Sequence, residues 1–307
     1  KNHSIVNGLV SHIEQRNDVD SEVPCVMIIA LVEGRYKVSI PFNEFYQKNP
    51  IDMATVNMET KAGREEYVNR CATMAAKLYS LNVPMVITTI QVDESTDAEA
   101  GVPAYVIVAS RKAALDIIEE TNYGDRPDGD GPRIQEGDFV RAQITSVARD
   151  SIAVVVGGVD TRVPLHALTF EYLVDARTKY KVGQEIMVQV EQIIKEKDGH
   201  HIVEVNCKQP ELERAKQMRS ALPIGSIVFG IVSSVAASKK QPGNINVLAY
   251  IKMYDLPVLV NNMPAKFLGS EPPRGSTVRL KVLNYLDNGM ILCRCIGTQG
   301  PMNFPNA

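Results

Sequence analysis

One pattern of apolar and polar positions occurs three times along the chain. Its copies lie at residues 5–13, 138–147 and 226–235, and in each copy apolar residues are interspersed with polar or small ones. Alternation with a period of two is typical of a β-strand that buries one face. Because a pattern that recurs along a sequence marks a repeated structural unit, we predict a string of small modules rather than one large domain.

Each copy continues into two further strand-like runs, and the third run ends at a proline, at Pro41, Pro164 and Pro264. After a connection, every module has another pair of such runs, at 83–92 with 102–109, 184–194 with 201–206, and 276–285 with 290–295. Asp-Gly at 198–199 and Asn-Gly at 288–289 are typical of tight hairpin turns between strands four and five. Five short strands per module predict an all-β dominated fold of three small barrels.

The connection between the third and fourth strands differs among the modules. In the second module it is residues 165–181, which suit a short helix, whereas the first has a longer insertion at about 47–82 with a helix predicted at 61–81. Apolar residues recur in this helix at helical spacing, which predicts a stripe that packs on the first barrel and closes one end. The alternative is a docking surface for another protein. The stripe consists of Tyr67, Cys71, Met74, Ala75 and Leu78.

These features divide the chain into modules at residues 1–121, 136–209 and 224–298, with a tail at 299–307. The linker at 122–135 combines Gly and Pro with acidic residues, which predicts a flexible spacer. The linker at 210–223 begins with Pro210 and continues with helix-forming residues. We therefore predict a helix there that fixes the second and third modules relative to each other.

Four segments of the second module resemble the S1 RNA-binding domain family: EGDFV at 136–140, GGVD at 157–160, KVGQEI at 181–186 and VQV at 188–190. In the first module, residues 106–115 are similar to the strand-to-helix junction that follows such a repeat in bacterial ribosomal protein S1, where these domains occur in tandem. The third module is the most divergent. The resemblance implies three five-stranded OB-type barrels, the first with a helical insertion, that bind single-stranded RNA.

The residues that contact RNA in this family are replaced here. The family uses two aromatics around the second strand and a histidine on the third, and in the second module these positions hold Asp150, Ala153 and Pro164. Stacking on an aromatic is worth about 1–3 kcal/mol per base, so we expect modest affinity. The other modules also depart from the pattern, at Ala30 and Pro41 in the first and at Asn261 or Pro264 in the third.

Other aromatic and basic side chains are candidates for RNA contact in place of the missing platform. Each of them taken alone also suits an ordinary solvated surface position. The candidates are Arg35, Tyr36 and Lys37 in the first module, Arg141, Arg149, Arg162 and His166 in the second, and Lys239, Lys240, Tyr250 and Lys252 in the third.

Composition limits the strength of any such interaction. The 307 residues include 33 Lys and Arg against 36 Asp and Glu, a formal net charge of −3, so the chain as a whole has no basic field that would attract phosphate. Trp is absent and aromatic residues make up 6%. Any RNA groove must therefore be local.

No catalytic or metal-binding pattern is evident. The five cysteines are odd in number and form no Cys-x-x-Cys, which favours buried reduced thiols over disulfides or zinc. The five histidines lack the spacing of a metal site or a nucleophile-base pair, and His200 with His201 are predicted in an exposed hairpin. We expect no enzymatic activity, no cofactor, no metal and no small-molecule substrate.

The chain has no run of 18 or more apolar residues and no visible signal peptide, so we expect no membrane association and a cytoplasmic location. The predicted function is single-stranded RNA (mRNA) binding, associated with the ribosome or translation, with a possible protein partner. One alternative is a protein-interaction array whose barrels have lost RNA binding. Another is the RNA-binding part of a larger nuclease or transcription factor.

Overall fold

A computed structural model describes residues 4–17, 24–92, 105–125, 129, 131–239, 241–264 and 272–299. Lys240 and the tail predicted at 299–307, apart from residue 299, lie outside the described residues.

Five strands form the first barrel: β1 (Ile5–Asn17), β2 (Pro24–Val32), β3 (Tyr36–Pro41), β4 (Asn82–Val92) and β5 (Tyr105–Ser110). They run in the order β1-β2-β3-β5-β4 and close into a barrel. The parallel pairing of Ser39 with Val108 closes the β3–β5 seam. Alternate residues of the strands point inward, so that Ile28, Ala30 and Ile40 are fully buried in the core.

The second and third barrels repeat this strand order, except that, among the described residues, no backbone ladder joins the third and fifth strands of the second. The second contains β6 (Phe139–Val147), β7 (Ser151–Val156), β8 (Val159–Pro164), β9 (Glu185–Lys195) and β10 (His201–Asn206) in the order β10-β9-β6-β7-β8. Its two edges meet where Thr161 Oγ1 donates to Val203 O at 2.6 Å. The third is closed and contains β11 (Ile227–Ala237), β12 (Asn244–Ile251), β13 (Leu256–Pro264), β14 (Thr277–Tyr285) and β15 (Ile291–Gln299). The predicted fold of three tandem five-stranded barrels is confirmed.

The insertion of the first barrel contains helix α1 (Lys61–Ala75), which continues into a 3-10 turn at Ala76–Leu78. The Thr60 hydroxyl accepts from the backbone N–H of Gly63 and caps the helix. Two further 3-10 turns, at Phe42–Glu44 and Met53–Thr55, precede it. The predicted apolar stripe packs against the first barrel, since Cys71, Ala75 and Leu78 are buried in the barrel core and Tyr67 and Met74 pack on it.

Helix α2 (Arg111–Tyr123) joins the first barrel to the second. Its last residue, Tyr123, is buried in the core of the second barrel, and its hydroxyl donates to Val156 O at 2.9 Å. Asn122 Nδ2 donates to Gly157 O at 3.1 Å. The first two barrels are therefore in direct contact at the start of the 122–135 segment, for which the sequence predicts a flexible spacer.

Helix α4 (Gln209–Gln217) follows the second barrel and contacts the third, while a short helix α3 (Leu165–Leu168) follows β8. Ala215 is fully buried in the core of the third barrel. On the other side, Glu211 accepts hydrogen bonds from the Phe170 backbone N–H at 2.9 Å and from the Thr169 hydroxyl of the second barrel. A helix thus bridges the two barrels within the region predicted to be a helical linker.

The prediction that His200 and His201 are exposed is wrong for His201, which is 7% exposed. Helix α2 covers this end of β10, and the carboxylate of Glu119 lies 3.0 Å from His201 Nδ1 and 3.3 Å from His200 Nδ1. The hairpin pattern in the sequence gave no sign that a helix from the preceding barrel covers it.

The five cysteines form no disulfide, and only Cys25 is half-buried while the other four are buried. Burial raises the pKa of Cys207 and of Cys293 to about 12.

None of the described helices combines the length and the apolarity needed to cross a bilayer.

Candidate nucleic-acid interface

A cleft of about 420 Å³ lies between the insertion of the first barrel and the β7–β8 side of the second. The insertion supplies one wall, which includes Tyr46, Met74 and Leu78. The opposite wall is formed by the second barrel, chiefly by residues 151–153 and 159–162. An apolar cleft with polar and charged groups at its margin is the usual form of a ligand site.

The wall on the second barrel includes a position where the resemblance to the S1 family predicts an aromatic. Ala153 occupies this position on β7 and pairs across the strands with Arg162 on β8. The Arg162 guanidinium donates to Ser151 Oγ at 2.8 and 3.1 Å and lies 3.8 Å from Asp150. Its side chain is 72% exposed, so these contacts hold the charge at the margin of the cleft while leaving it accessible.

The wall on the first barrel contributes two more cations, Lys48 and Lys77. Lys48 Nζ lies 2.7 Å from Glu196 of the second barrel, and this hydrogen bond raises the pKa of Lys48. Its side chain is nevertheless 71% exposed, so the ion pair is screened by solvent. Sequence reasoning missed both lysines, because no pattern in the insertion indicates that it lies against the second barrel.

An ion pair between a buried arginine and a half-buried aspartate, together with an amide, connects the two walls. Arg111 on α2 is 1% exposed, donates to Phe45 O at 2.7 Å and lies 3.7 Å from Asp160 Oδ1 of the second barrel. Burial lowers the pKa of Arg111 and raises that of Asp160, while each charge opposes the shift of the other. Gln47 Oε1 accepts from the Asp160 backbone N–H at 3.2 Å.

One cluster near the cleft has metal-ligand residue types. Oxygen and nitrogen atoms of Asp116, Glu119 and His200 lie within 4.8 Å of one another. The amide of Gln47 donates to Asp116 Oδ1 at 3.3 Å and to Glu119 Oε2 at 2.9 Å. These hydrogen bonds make the cluster part of the contact between the first two barrels.

The structure separates the three arginines proposed for the second module. Arg149 lies in the β6–β7 turn, beside Asp150, which contacts Arg162. Arg141 instead projects from β6, where it pairs with Met187 and lies 3.4 Å from Glu185. On β6, the residue that pairs with Ala153, and so lies at the level of Arg162, is Ser146. Arg141 is five residues from Ser146 along β6, a distance of about 16 Å. His166 is exposed on α3.

The candidates of the first module form a separate group beside the β2–β3 turn. The Arg35 guanidinium stacks over the Tyr36 ring at 4.6 Å and lies 3.1 Å from Glu33. Lys37 Nζ lies 2.5 Å from Glu14. Tyr36 is 46% exposed, but none of the three residues lines the cleft.

In the third module, Tyr250 cannot stack on a base because it is fully buried. Its hydroxyl donates to Asp255 Oδ1 at 2.5 Å, and Lys179 of the second barrel lies 5.4 Å from its ring centroid. The tyrosine belongs to the contact between barrels, which its alternating strand pattern did not indicate. Lys239 and Lys252 are exposed in turns.

Residues 133–201 match the family model described as S1 RNA binding domain. The match covers strands β6 to β9 of the second barrel and ends at His201, the first residue of β10. The matched segment contains Arg141, Arg149, Arg162 and His166, and it supplies the second barrel's side of the cleft. The chain therefore contains one segment that is similar to a family described as RNA-binding.

No curated protein sequence matches the chain. Among solved structures, the a/eIF2alpha–aDim2p–rRNA complex of Pyrococcus horikoshii OT3 is 16% identical with a TM-score of 0.22, and the match covers 27% of this chain and 56% of that one. A multidomain protein with nucleic acid binding domains from Streptococcus pneumoniae TIGR4 is 11% identical with a TM-score of 0.22, with 95% and 72% covered. Drosophila Unr CSD456 is 11% identical with a TM-score of 0.19, with 96% of each chain covered.

Proposed function

We propose that this chain binds single-stranded RNA without catalysis, and that the main contact is the cleft beside its S1 domain. The observation that carries the proposal is that Lys48, Lys77 and Arg162 line one cleft, whose wall also includes Ala153. Phosphates would lie against these cations, and a base would enter the apolar interior between the walls.

The cleft offers a physical substitute for the missing aromatic platform. With Ala153 in place of an aromatic, the second barrel alone cannot stack a base, but the facing wall adds Tyr46, Met74 and Leu78. Because Tyr46 is largely buried and packs against Phe42 and Phe45, it is a fixed element of this wall. A site built from two barrels requires both of them, unlike the single-barrel sites of the family.

The test measures fluorescence anisotropy of a labelled A/U-rich single-stranded RNA and of duplex DNA at low and physiological salt. We expect salt-dependent binding of the single strand and little binding of the duplex. Replacing Lys48, Lys77 and Arg162 together by alanine should weaken binding and reduce the salt slope by about 2, since each phosphate contact contributes about 0.7 on single strands.

Two control variants sharpen this test. Lys61→Ala removes a cation from the other end of the helical insertion, about 24 Å from Lys77 along the helix axis, and should leave affinity unchanged. Arg141→Ala removes an exposed arginine from the S1 domain away from the cleft and should have a smaller effect than Arg162→Ala. Equal losses in all variants would contradict a localised site.

The cellular role that we propose is a cytoplasmic factor that contacts mRNA or the ribosome, which the resemblance to a ribosomal protein with tandem S1 domains supports. The competing function is a protein-interaction array, which the net charge of −3 and the replaced aromatics favour. Absence of binding to either nucleic acid at low salt would favour that alternative and lead to a pull-down. The full-length reading frame would test whether the chain is instead the RNA-binding part of a nuclease or transcription factor.

A further inference from the structure

The outer surface of the third barrel carries three cations and an exposed phenylalanine on neighbouring strands. Phe229 on β11 pairs with Arg279 on β14, and Lys281 on β14 pairs with Arg294 on β15. All four side chains are exposed, because they alternate with the buried residues of their strands. We refer to Phe229, Arg279, Lys281 and Arg294 as the third-barrel patch.

No acidic residue occurs anywhere in strands β11, β14 and β15. Within the described parts of the chain, no carboxylate forms an ion pair with Arg279, Lys281 or Arg294. This charge is unbalanced locally, although the chain as a whole has a net charge of −3.

The pairing of Lys281 with Arg294 places two like charges directly opposite each other on adjacent strands. Such a pair destabilises a sheet unless an anion lies near it. Arg279 is two residues from Lys281 on the same face of β14 and adds a third positive charge. The arrangement favours a ligand that brings several negative charges along the sheet.

Phe229 supplies a second recognition element beside these charges. Its ring is 51% exposed, and Ile227, on the same face of β11, is also 51% exposed. A phenylalanine next to unpaired cations is the combination with which proteins bind single-stranded nucleic acid, since a base stacks on the ring while the cations contact phosphates. An acidic peptide would use the charges but has no base to stack on the ring.

The same surface of the second barrel has a different character. There Phe139 on β6 pairs with Gln189 on β9, and Arg141 on β6 lies 3.4 Å from Glu185. Strand β9 also carries Glu191, which is exposed. The two barrels thus share an exposed phenylalanine on this surface, but only the third combines it with three cations and no acid.

We propose that the third-barrel patch is a second binding site for single-stranded RNA, separate from the cleft and located on strands one, four and five of its barrel. This inference rests on the proposed function only in the choice of RNA as the ligand. The cleft residues lie on the first two barrels, so each site can be removed while the other remains.

The test measures RNA affinity in two backgrounds, the unchanged chain and the variant with Lys48, Lys77 and Arg162 replaced by alanine. In both we expect Arg279→Gln, Lys281→Gln and Arg294→Gln together to weaken binding of an A/U-rich single strand at least tenfold at low salt. Glutamine keeps most of the side-chain length, and circular dichroism with thermal unfolding verifies the fold.

Phe229→Leu tests the stacking contact. It should lower affinity about tenfold, whereas Phe139→Leu on the second barrel should change it less than twofold. A 4-thiouridine-containing RNA should also crosslink, under ultraviolet light, to peptides of β11 or β14, identified by mass spectrometry.

The outcomes separate the two proposals. If the cleft variant binds as tightly as the unchanged chain while the patch variants lose binding, the cleft is wrong and the patch stands. If the three glutamines leave RNA affinity unchanged in both backgrounds, or if the chain binds no RNA, the patch is not an RNA site. Retained RNA affinity together with lost binding of an acidic peptide would assign the surface to a protein partner and overturn the proposal.

Discussion

Glu119 on helix α2 accepts a hydrogen bond at 2.6 Å from the backbone N–H of His201, the first residue of strand β10 in the next barrel. The other carboxylate oxygen accepts from Gln47 at 2.9 Å. Glu119 is 4% exposed, and a carboxylate so deeply buried is stable only when its oxygens are hydrogen-bonded. This one side chain therefore connects the insertion of the first barrel, helix α2 and the second barrel at one end of the cleft.

We predict that Glu119→Ala destabilises the contact between the first two barrels. The change leaves the donors of His201 and Gln47 without this partner, and each buried donor left unsatisfied costs about 1–3 kcal/mol. Urea unfolding should give a lower free energy of unfolding, or a separate transition at a lower urea concentration than the main one. Glu120→Ala, at the exposed next position of the helix, should change stability by less than about 0.5 kcal/mol. Equal effects of the two changes would contradict the role of Glu119.

Gly158 provides a second test of this contact. Its φ is +102°, and a Cβ atom there would lie 2.5 Å from the backbone nitrogen of Glu119. Gly158→Ala should therefore destabilise the protein both through backbone strain and through displacement of α2. Gly199→Ala is the matched control, since its φ is +94° but its Cβ would meet no atom within 4 Å. The prediction fails if the two substitutions lower the thermal unfolding temperature equally.

The fold could be predicted from the sequence because its signals are local. The period-two alternation of β6 and the Asp-Gly and Asn-Gly turns each depend on a few neighbouring residues. The helix in the insertion could be predicted for the same reason, because its apolar residues recur at helical spacing. Residues with this spacing lie on one face of a helix, which packs on the barrel core. The S1 resemblance of the second module has its own family match at residues 133–201.

The candidate site was only partly predictable because it lies between barrels. Arg162 could be named as a candidate because it lies in the segment that resembles the S1 family. Lys48 and Lys77 belong to the site only because α2 positions the insertion over β7 and β8. Tyr250 is the opposite case. The sequence suggested an accessible aromatic on a strand, but contacts between the barrels bury it completely. Such contacts depend on residues far apart in sequence, for which periodicity gives no signal.

The cysteines should differ sharply in reactivity. The thiolate is the reactive form, and burial raises the pKa of Cys207 and Cys293 to about 12, so very little thiolate exists at pH 8. We expect a thiol reagent such as Ellman's reagent to modify Cys25, the half-buried cysteine, well before the other four. Cys25→Ser should remove the fast phase, and urea should expose the remaining thiols. Fast reaction of Cys207 in the native protein would show that the second barrel opens readily.

The second and third barrels should tumble as one body, because helix α4 is anchored in both. Leu212 and Ala215 are buried, and Ala215 packs in the third-barrel core, while Glu211 binds the second barrel through the Phe170 backbone. Arg214 on the same helix donates to Asp255 O of the third barrel at 2.7 Å. Contacts on two sides of one helix restrict rotation more than a flexible linker of equal length does.

Nitrogen-15 relaxation of the whole chain measures this directly. We expect one rotational correlation time for the amides of both barrels. Ala215→Glu places a charge in the third-barrel core and should loosen the connection, giving the third barrel a shorter correlation time, whereas Gln217→Glu at an exposed position of α4 should leave it unchanged. Two different correlation times in the unchanged protein would show that α4 does not fix the barrels. The RNA sites that we propose on the second and third barrels would then sample many relative orientations instead of one.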